Sequence, residues 1–296
     1  MIYILLSILT SSSIMIIFKM FDRFKVNTLN AIVVNYWVAA TLSIVLDSSG
    51  ISLGKAPIEP WFYQAIMMGF LFITLFNIIA KSTQNIGVSV TTVANKMSLI
   101  MPVMFSIIVL HDAVNVVKVI GIVLALLAVY LTTKSDNRSA VDKRFIVYPF
   151  IVFIGSGIID TLFKYNDEFT LGENGLEPFV SWIFITSSFL GLIVLIFKYV
   201  REKSLPDRNS IVAGFILGFP NYFSIYFLLK SLNIGMEGSV VIPLNNISIV
   251  AVSALSGIFI FREKGTKSNI IGLLMAIIAI GLLAFSNEIG FVLGIG

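Results

Sequence analysis

The chain has no cysteine and only one histidine, His111, so it lacks many of the side chains that enzymes use for catalysis. Without cysteine it cannot form disulfides, thiolate nucleophiles or thiolate metal ligands. An intramembrane enzyme needs a nucleophile with a base, or a set of metal ligands, and the sequence shows neither pattern. Carboxylate chemistry in the acidic segment 167–177 is the enzymatic alternative that stays open. We therefore expect a protein that is not an enzyme and that uses no metal or other cofactor.

Charged residues are also scarce, which excludes a soluble scaffold or signalling module. They make up 12% of the 296 residues, against about 25% in soluble domains, whereas 57% of the residues are hydrophobic. The hydrophobic residues form ten blocks of about twenty, each long enough to cross a hydrocarbon layer of about 30 Å. We predict an all-α integral membrane protein with ten transmembrane helices. The predicted spans are 2–21, 29–47, 61–80, 87–110, 116–133, 145–163, 178–198, 209–230, 237–260 and 268–286.

The sequence is duplicated, because polar and glycine residues recur in the same order at an offset that drifts only from 145 to 151 residues. The matched pairs include Ser11 and Ser156, Gly69 and Gly218, Asn85 and Asn233, Asn95 and Asn245, and Asp112 and Glu263. We predict a first five-helix repeat at 1–135, a second at 144–286 and a short tail at 287–296. Since five is odd, the second copy begins on the opposite membrane face, and the repeats are inverted. Transporters built in this way bind their substrate near the midplane, where the halves meet.

The basic residues predict which loops share a membrane face. Of the 20 Lys and Arg residues, 15 lie at loops 1–2, 3–4, 5–6, 7–8 and 9–10, each named after the two spans that it joins. Lys55, Lys118, Lys164 and Lys230 lie at the other face, and Lys96 lies inside a span. The positive-inside rule places the basic face in the cytoplasm and both termini outside.

Local patterns recur at the fourth and fifth spans of each half. An acidic residue closes the fourth span, as Asp112 and as Glu263, and a glycine-rich fifth span follows. Asn-Ile-Gly leads into the fourth span, which contains Pro102 in the first copy and Pro243 in the second. Together with the five-plus-five repeat, these patterns resemble the EamA-type ten-helix permeases of the drug/metabolite transporter superfamily. The resemblance implies a permease with both termini in the cytoplasm, opposite to the orientation that the loop charges indicate.

Lys96 is the principal candidate for a substrate ligand. A lysine at the centre of a transmembrane helix costs about 2.5–3.5 kcal/mol on insertion scales, so we expect something to compensate for it. The neighbouring Asn95 and Ser98 belong to a polar stripe on the fourth span. We interpret the lysine as a ligand for an anionic group of the substrate in a central cavity. The alternatives are a buried ion pair between helices and a lysine that reaches a water-filled vestibule.

The equivalent segment of the ninth span carries Asn245 and Asn246. Their amides both donate and accept hydrogen bonds, which suits a polar ligand. The alternative is that they hold neighbouring helices together. Four polar side chains on the third and eighth spans complete the predicted substrate site: Asn77, Asn221, Tyr222 and Tyr226.

Asp160 is the only carboxylate that we place within a predicted span, and Lys164 follows it one turn later. A carboxylate in a low-dielectric environment can change its proton occupancy, which suits proton-coupled exchange. The alternative is an ion pair in which Asp160 neutralises Lys164 or Lys96.

These expectations combine into a secondary-active permease or exporter for small polar metabolites, amino-acid-like or anionic, that works by alternating access. No Gly-x-x-x-x-Gly-Lys-Ser/Thr loop is present, so we expect a proton or counter-substrate gradient to supply the energy. A flippase for lipids or lipid-linked sugars, from the same superfamily, is the alternative. The expected partners are a small-molecule substrate and the lipid bilayer, without nucleic acid. We expect a multi-pass protein of the plasma (inner) membrane that works as a monomer or homodimer.

Overall fold

The computed structural model describes residues 2–46, 53–111, 114–133, 143–172, 175–203, 205–233, 238–263, 266–286 and 288–289. All ten predicted spans are confirmed as helical segments, and the described residues contain no strand. The fourth span consists of two consecutive helices, α4 and α5. The helices are α1 (Ile2–Arg23), α2 (Thr28–Val45), α3 (Phe62–Asn85), α4 (Val88–Met97), α5 (Ile100–Val109), α6 (Val116–Thr133), α7 (Val147–Phe169), α8 (Leu176–Glu202), α9 (Arg208–Asn233), α10 (Gly238–Phe259) and α11 (Lys267–Ala284).

The helices are long and apolar enough for a protein that lies within a bilayer. In the described part of the chain, eight helical segments meet the length and hydropathy needed to cross a membrane, when α4 and α5 are taken as one segment. Two shorter apolar segments, Val116–Thr132 and Leu244–Phe259, belong to α6 and α10. The protein is therefore an integral membrane protein with multiple spanning helices.

The contacts between helices follow the same pattern in the two halves of the chain. α1 packs against α9, and their counterparts in the repeat, α7 and α3, also pack together. The pairs α2–α9 and α8–α3 correspond in the same way, as do α1–α10 and α7–α4. This arrangement is what inverted repeats lead us to expect. The exact division of the chain stays a prediction, because segment 134–142 and most of the tail 287–296 lie outside the described residues.

Two glycines bring α9 against α2, as the Gly-x-x-x-Gly spacing predicts for close helix packing. A Cβ atom added at Gly214 would lie 2.4 Å from the carbonyl oxygen of Ala31. A Cβ atom at Gly218 would lie 2.5 Å from the Cβ of Val38. Only a residue without a side chain fits at either position, so Gly214 and Gly218 allow the close approach of the two helices.

The ends of the helices that border four of the basic loops meet at one face of the protein. Lys19 at the end of α1 donates to the carbonyl oxygen of Gln84 at the end of α3, at 2.7 Å. The N–H of Asn27 before α2 donates to the Ser210 hydroxyl in the first turn of α9, at 2.8 Å. Glu263 after α10 accepts a hydrogen bond from Val88 at the start of α4. Loops 1–2, 3–4, 7–8 and 9–10 therefore share this face, which we call the basic face.

Candidate functional site

The fourth span is interrupted near its middle by Ser98 and Leu99, which separate α4 from α5. Pro102 explains the break, because it has no N–H to donate to the carbonyl of Ser98 four residues earlier. That carbonyl accepts a hydrogen bond from the N–H of Met101 instead, at 2.9 Å. Broken helices at membrane depth occur only where protein or cavity water satisfies the freed backbone groups. The break is therefore a place where polar chemistry is expected inside the membrane.

Lys96 lies in the last turn of α4, immediately before this break, and its side chain is half-buried. The charge that attracts its ammonium belongs to Asp160 on α7. Within the described part of the chain the two side chains do not form a direct ion pair. The attraction lowers the free-energy cost of both charges inside the protein, and the ammonium still has donors available for a ligand.

Asp160 faces the interior of the protein and is nevertheless accessible. It shares its face of α7 with Pro149, Phe153 and Ser156, which are buried. The exposed Ile151 and Ile158 lie on the opposite face of the same helix. Asp160 therefore lies on the inward-facing side of α7 with an accessible side chain.

Hydrogen bonds tie α7 to the helix break. The Ser98 hydroxyl lies 2.8 Å from the Oδ2 atom of Asp160 and 2.5 Å from the backbone oxygen of Asn95. The Asn95 amide donates to the hydroxyl of Ser156, one turn before Asp160, at 2.7 Å. Lys96, Asn95, Ser98, Ser156 and Asp160 thus form one polar cluster between α4 and α7, which we call the central cluster.

The second repeat places asparagines at the corresponding point of α10. Asn245 is buried, and its Oδ1 atom accepts no hydrogen bond from the described residues, while Asn246 is half-buried. α10 packs against α4 and α1. In the alignment of the repeats, Asn246 corresponds to Lys96, and Met15 corresponds to Asp160. The two charged positions of the central cluster are therefore neutral in the other half.

A second polar region lies at the face opposite the basic face. The end of α2, the start of α8 and the second half of α9 enclose a shallow, open cleft. The rings of Tyr222 and Tyr226 stack with their centroids 5.7 Å apart, and the Lys230 ammonium lies 5.7 Å from the Tyr226 centroid. The polar residues that line the cleft are Ser43, Glu177, Ser181, Tyr222, Tyr226 and Lys230.

The remaining predicted ligands, Asn77 and Asn221, occupy different environments. The Asn77 amide donates to the backbone oxygen of Ile73 within α3, at 2.8 Å, and its side chain is half-buried. Asn221 on α9 is buried, and its Nδ2 atom has no acceptor among the described residues. The structure thus places most of the predicted substrate ligands in the central cluster and the cleft, whereas Asn77, Asn221, Asn245 and Asn246 lie outside both.

Lys164 takes no part in the central cluster. Its ammonium lies 3.6 Å from the Glu168 carboxylate, one turn further along α7. In the described part of the chain it does not pair with Asp160, which is bound by Ser98 instead. The ion pair that the sequence allowed between Asp160 and Lys164 is therefore not formed.

The acidic residue at the end of α10 contacts the start of α4. Oε1 of Glu263 accepts a 2.6 Å hydrogen bond from the N–H of Val88, and Oε2 accepts from the Ser89 hydroxyl at 3.1 Å. Gly87, at the helix cap, has a positive φ of 128° and offers no side chain of its own. Glu263 is thus a structural residue that caps α4. Its counterpart Asp112 lies outside the described residues.

Comparison with known proteins finds a family match in the first half of the chain. Residues 1–134 match the EamA-like transporter family. This match supports, over residues 1–134, the resemblance to the drug/metabolite transporter superfamily. The resemblance inferred from the sequence is confirmed for this part of the chain, and it supports a function in membrane transport.

Two full-length similarities accompany the family match. A protein of Haemophilus influenzae, named only as an uncharacterized protein, is 25% identical to this chain over an alignment of 296 positions, which covers 97% of this chain and 98% of the relative. A crystal structure of another protein is 13% identical, has a TM-score of 0.58, and covers 95% of this chain and 98% of its own. At that identity the likeness shows a shared fold alone.

Several residues of the central cluster and of the cleft were not predicted from the sequence. Ser156 was visible only as a repeat match to Ser11, and its contact with Asn95 depends on how α4 and α7 face each other. Glu177 and Lys230 lie near helix ends, where charged residues are usual, so nothing in their spacing marks them as members of a cleft. Among the described residues, no three acidic or histidine side chains lie together as a metal site requires.

Proposed function

We propose that the protein is a secondary-active permease that exports small polar metabolites, amino-acid-like or anionic, by alternating access. The observation that carries the proposal is Lys96, an ammonium at mid-span beside a helix break, opposed by Asp160 without a direct ion pair among the described residues. A charge kept inside a membrane protein at this cost usually serves a substrate or ion pathway.

The central cluster offers both kinds of ligand that a small polar metabolite needs. Lys96 supplies donors to a carboxylate or phosphate, and charge-assisted hydrogen bonds of this kind are the strong ones. Asp160 supplies an acceptor to an ammonium or hydroxyl group, and Asn245 and Asn246 supply amides from the other half. The cleft lined by Tyr222 and Tyr226 opens on the face opposite the basic loops and offers a further polar and aromatic surface to a substrate.

A gradient supplies the energy in this proposal, as a proton or a counter-substrate. Both halves of the pathway belong to one chain, so a monomer or a homodimer can carry out transport. The plasma (inner) membrane is the proposed location, because export to the outside of the cell requires it. A small-molecule substrate and the bilayer are the partners.

A binding panel tests the proposal. Purified protein is melted with amino acids, organic acids, sugar phosphates, nucleotide sugars, cationic drugs and lipid-linked sugars. A ligand that binds the native state at a hundred times its dissociation constant stabilises it by about 2.7 kcal/mol. We expect a zwitterion or an anion to stabilise the wild type, and we expect this stabilisation to be lost in Lys96→Met. The control Lys81→Met changes an exposed lysine at the end of α3 and should keep the stabilisation. Stabilisation by a cation or a lipid-linked sugar would contradict the proposal.

A further inference from the structure

Ser98 has one hydroxyl hydrogen and two acceptors within reach. Its Oγ atom lies 2.8 Å from the Asp160 carboxylate and 2.5 Å from the backbone oxygen of Asn95. A charged carboxylate and a carbonyl are both acceptors only, so a single hydrogen must serve both contacts. With Asp160 charged, one of the two close oxygen pairs lacks a hydrogen at any moment.

A proton on Asp160 supplies the missing hydrogen. A protonated carboxyl group gains an O–H that donates. It can donate to Ser98 Oγ, and the Ser98 hydroxyl then donates to the Asn95 carbonyl. The proton comes from water that reaches the accessible Asp160 side chain, and it returns to water when it leaves. All three oxygens are satisfied in the protonated state, and the chain of hydrogen bonds ends on the backbone of α4 at the helix break.

We propose that Asp160 and Ser98 form a proton-binding site, and that protonation there rearranges the hydrogen bonds at the break in the fourth span. The inference rests on the proposed transport function, and it identifies the coupling ion as a proton. The break is the place in the fold where such a rearrangement acts on backbone, because Ser98 belongs to neither α4 nor α5.

Few charged groups surround this site. α7 packs against α3, α4, α5 and the short 3-10 turn Lys143–Ile146. α5 contains no charged residue, and Lys96 is the only one in α4. The other charged residues of these elements lie nearer to helix ends than Asp160 does: Lys81, Lys143, Arg144, Lys164, Asp167 and Glu168. Lys96 is thus the neighbour that decides what protonation does to the charge of the site.

The charge of Lys96 fixes the direction of coupling. When Asp160 is charged, it opposes the ammonium, and the pair has no net charge. When Asp160 is protonated, the lysine is left unopposed and attracts an anion more strongly. A ligand whose own ammonium binds Asp160 has the reverse preference, because it competes with the proton. Export driven by inward proton flow requires this competition, whereas a ligand with only negative groups would move together with the proton.

Infrared titration of the purified transporter tests the site without any ligand. The carbonyl stretch of a protonated carboxyl group is recorded as the pH is lowered. We expect one band to be lost in Asp160→Asn and to persist in Asp167→Asn, which changes an exposed carboxylate on the same helix. In Ser98→Ala the band should appear only at a lower pH, because the protonated carboxyl group no longer has the Ser98 oxygen as its acceptor, and Ser98→Thr should restore the midpoint.

The outcomes separate this inference from the proposed function. A spectrum that is the same in wild type and Asp160→Asn overturns the proton site, whatever the ligand panel shows. If Asp160→Asn does not fold, an unchanged midpoint in Ser98→Ala overturns it equally. Loss of the band in Asp160→Asn together with a ligand panel that yields no hit keeps the proton site and removes the proposed substrate class.

Discussion

The carboxylate of Glu263 accepts a 2.6 Å hydrogen bond from the N–H of Val88, which ties the end of α10 to the start of α4. The two residues are 175 positions apart in the chain. The first turn of a helix has N–H groups without partners and a partial positive charge, and a carboxylate satisfies both. A residue from the second half of the chain thus holds α4, the helix that carries Lys96, in place.

Replacing this carboxylate should destabilise the protein. Loss of a helix cap costs about 0.5–2 kcal/mol, so Glu263→Ala should melt at a lower temperature than wild type. Glu263→Gln keeps an acceptor without the charge, and we expect an intermediate value. Glu202→Ala, which changes an exposed acid at the end of α8, is the control. A Glu263→Ala variant that melts with the wild type would show that the cap is dispensable.

The start of α9 should make a small, pH-dependent contribution to stability. The Ser210 hydroxyl donates to Asp207 at 2.6 Å, and this bond lowers the pKa of that carboxyl group from its usual value. A lowered pKa stabilises the folded state above the unfolded pKa of about 3.9, and this stabilisation is lost as the pH falls through the folded value. Melting curves of wild type and Asp207→Asn should therefore differ at neutral pH and converge in acid. A difference that stays constant down to pH values below the folded pKa would contradict this account.

Close contact between α2 and α9 should be sensitive to a single methyl group. Gly218→Ala places a Cβ against Val38, and overpacking of this kind costs about 1–3 kcal/mol. Gly281→Ala is the matched control in α11, because no described atom lies within 4 Å of its added Cβ. There the change should be neutral or stabilise by up to about 1 kcal/mol, since alanine favours helices. Equal melting temperatures for the two variants would argue against close packing at Gly218.

The tyrosine cleft should contribute to ligand affinity through its rings. Aromatic contacts add about 0.5–1.5 kcal/mol, so Tyr226→Leu should weaken binding of a panel hit about 2- to 13-fold. Tyr226→Phe keeps the ring and should bind like wild type. Tyr199→Leu is the control, because the Lys203 ammonium lies 6.0 Å from the Tyr199 ring in a similar pair on α8. Equal weakening by Tyr226→Leu and Tyr199→Leu would show that the cleft has no specific role.

The ten spans could be predicted from the sequence because hydrophobic length decides whether a helix can cross a membrane. The break at Ser98 follows from Pro102, so it too is local and visible in the chain. The partner of Asp160 could not be predicted. Sequence spacing favours Lys164 one turn away, whereas the structure pairs Asp160 with Ser98 and Lys164 with Glu168. Which side chains meet between helices depends on the rotation of each helix, and one sequence does not encode that rotation in its spacing.

The helix cap formed by Glu263 is a second contact that could not be predicted from the sequence. The repeat marks Glu263 as a matched position, and its place at a helix end indicates a structural residue. Its contact with Val88 joins the two halves of the fold, so only the packing of α10 against α4 reveals it.

Counterflow exchange tests the central claim, that Lys96 binds the transported substrate, most directly. Vesicles that contain the purified transporter are loaded with the panel hit, and uptake of the labelled compound is followed. Loss of a charge-assisted hydrogen bond costs about 1.5–3 kcal/mol. Lys96→Met should therefore exchange the labelled compound at least about 10-fold more slowly than wild type at subsaturating ligand. The control Lys81→Met should exchange at the wild-type rate. Exchange by Lys96→Met at the wild-type rate would contradict the account.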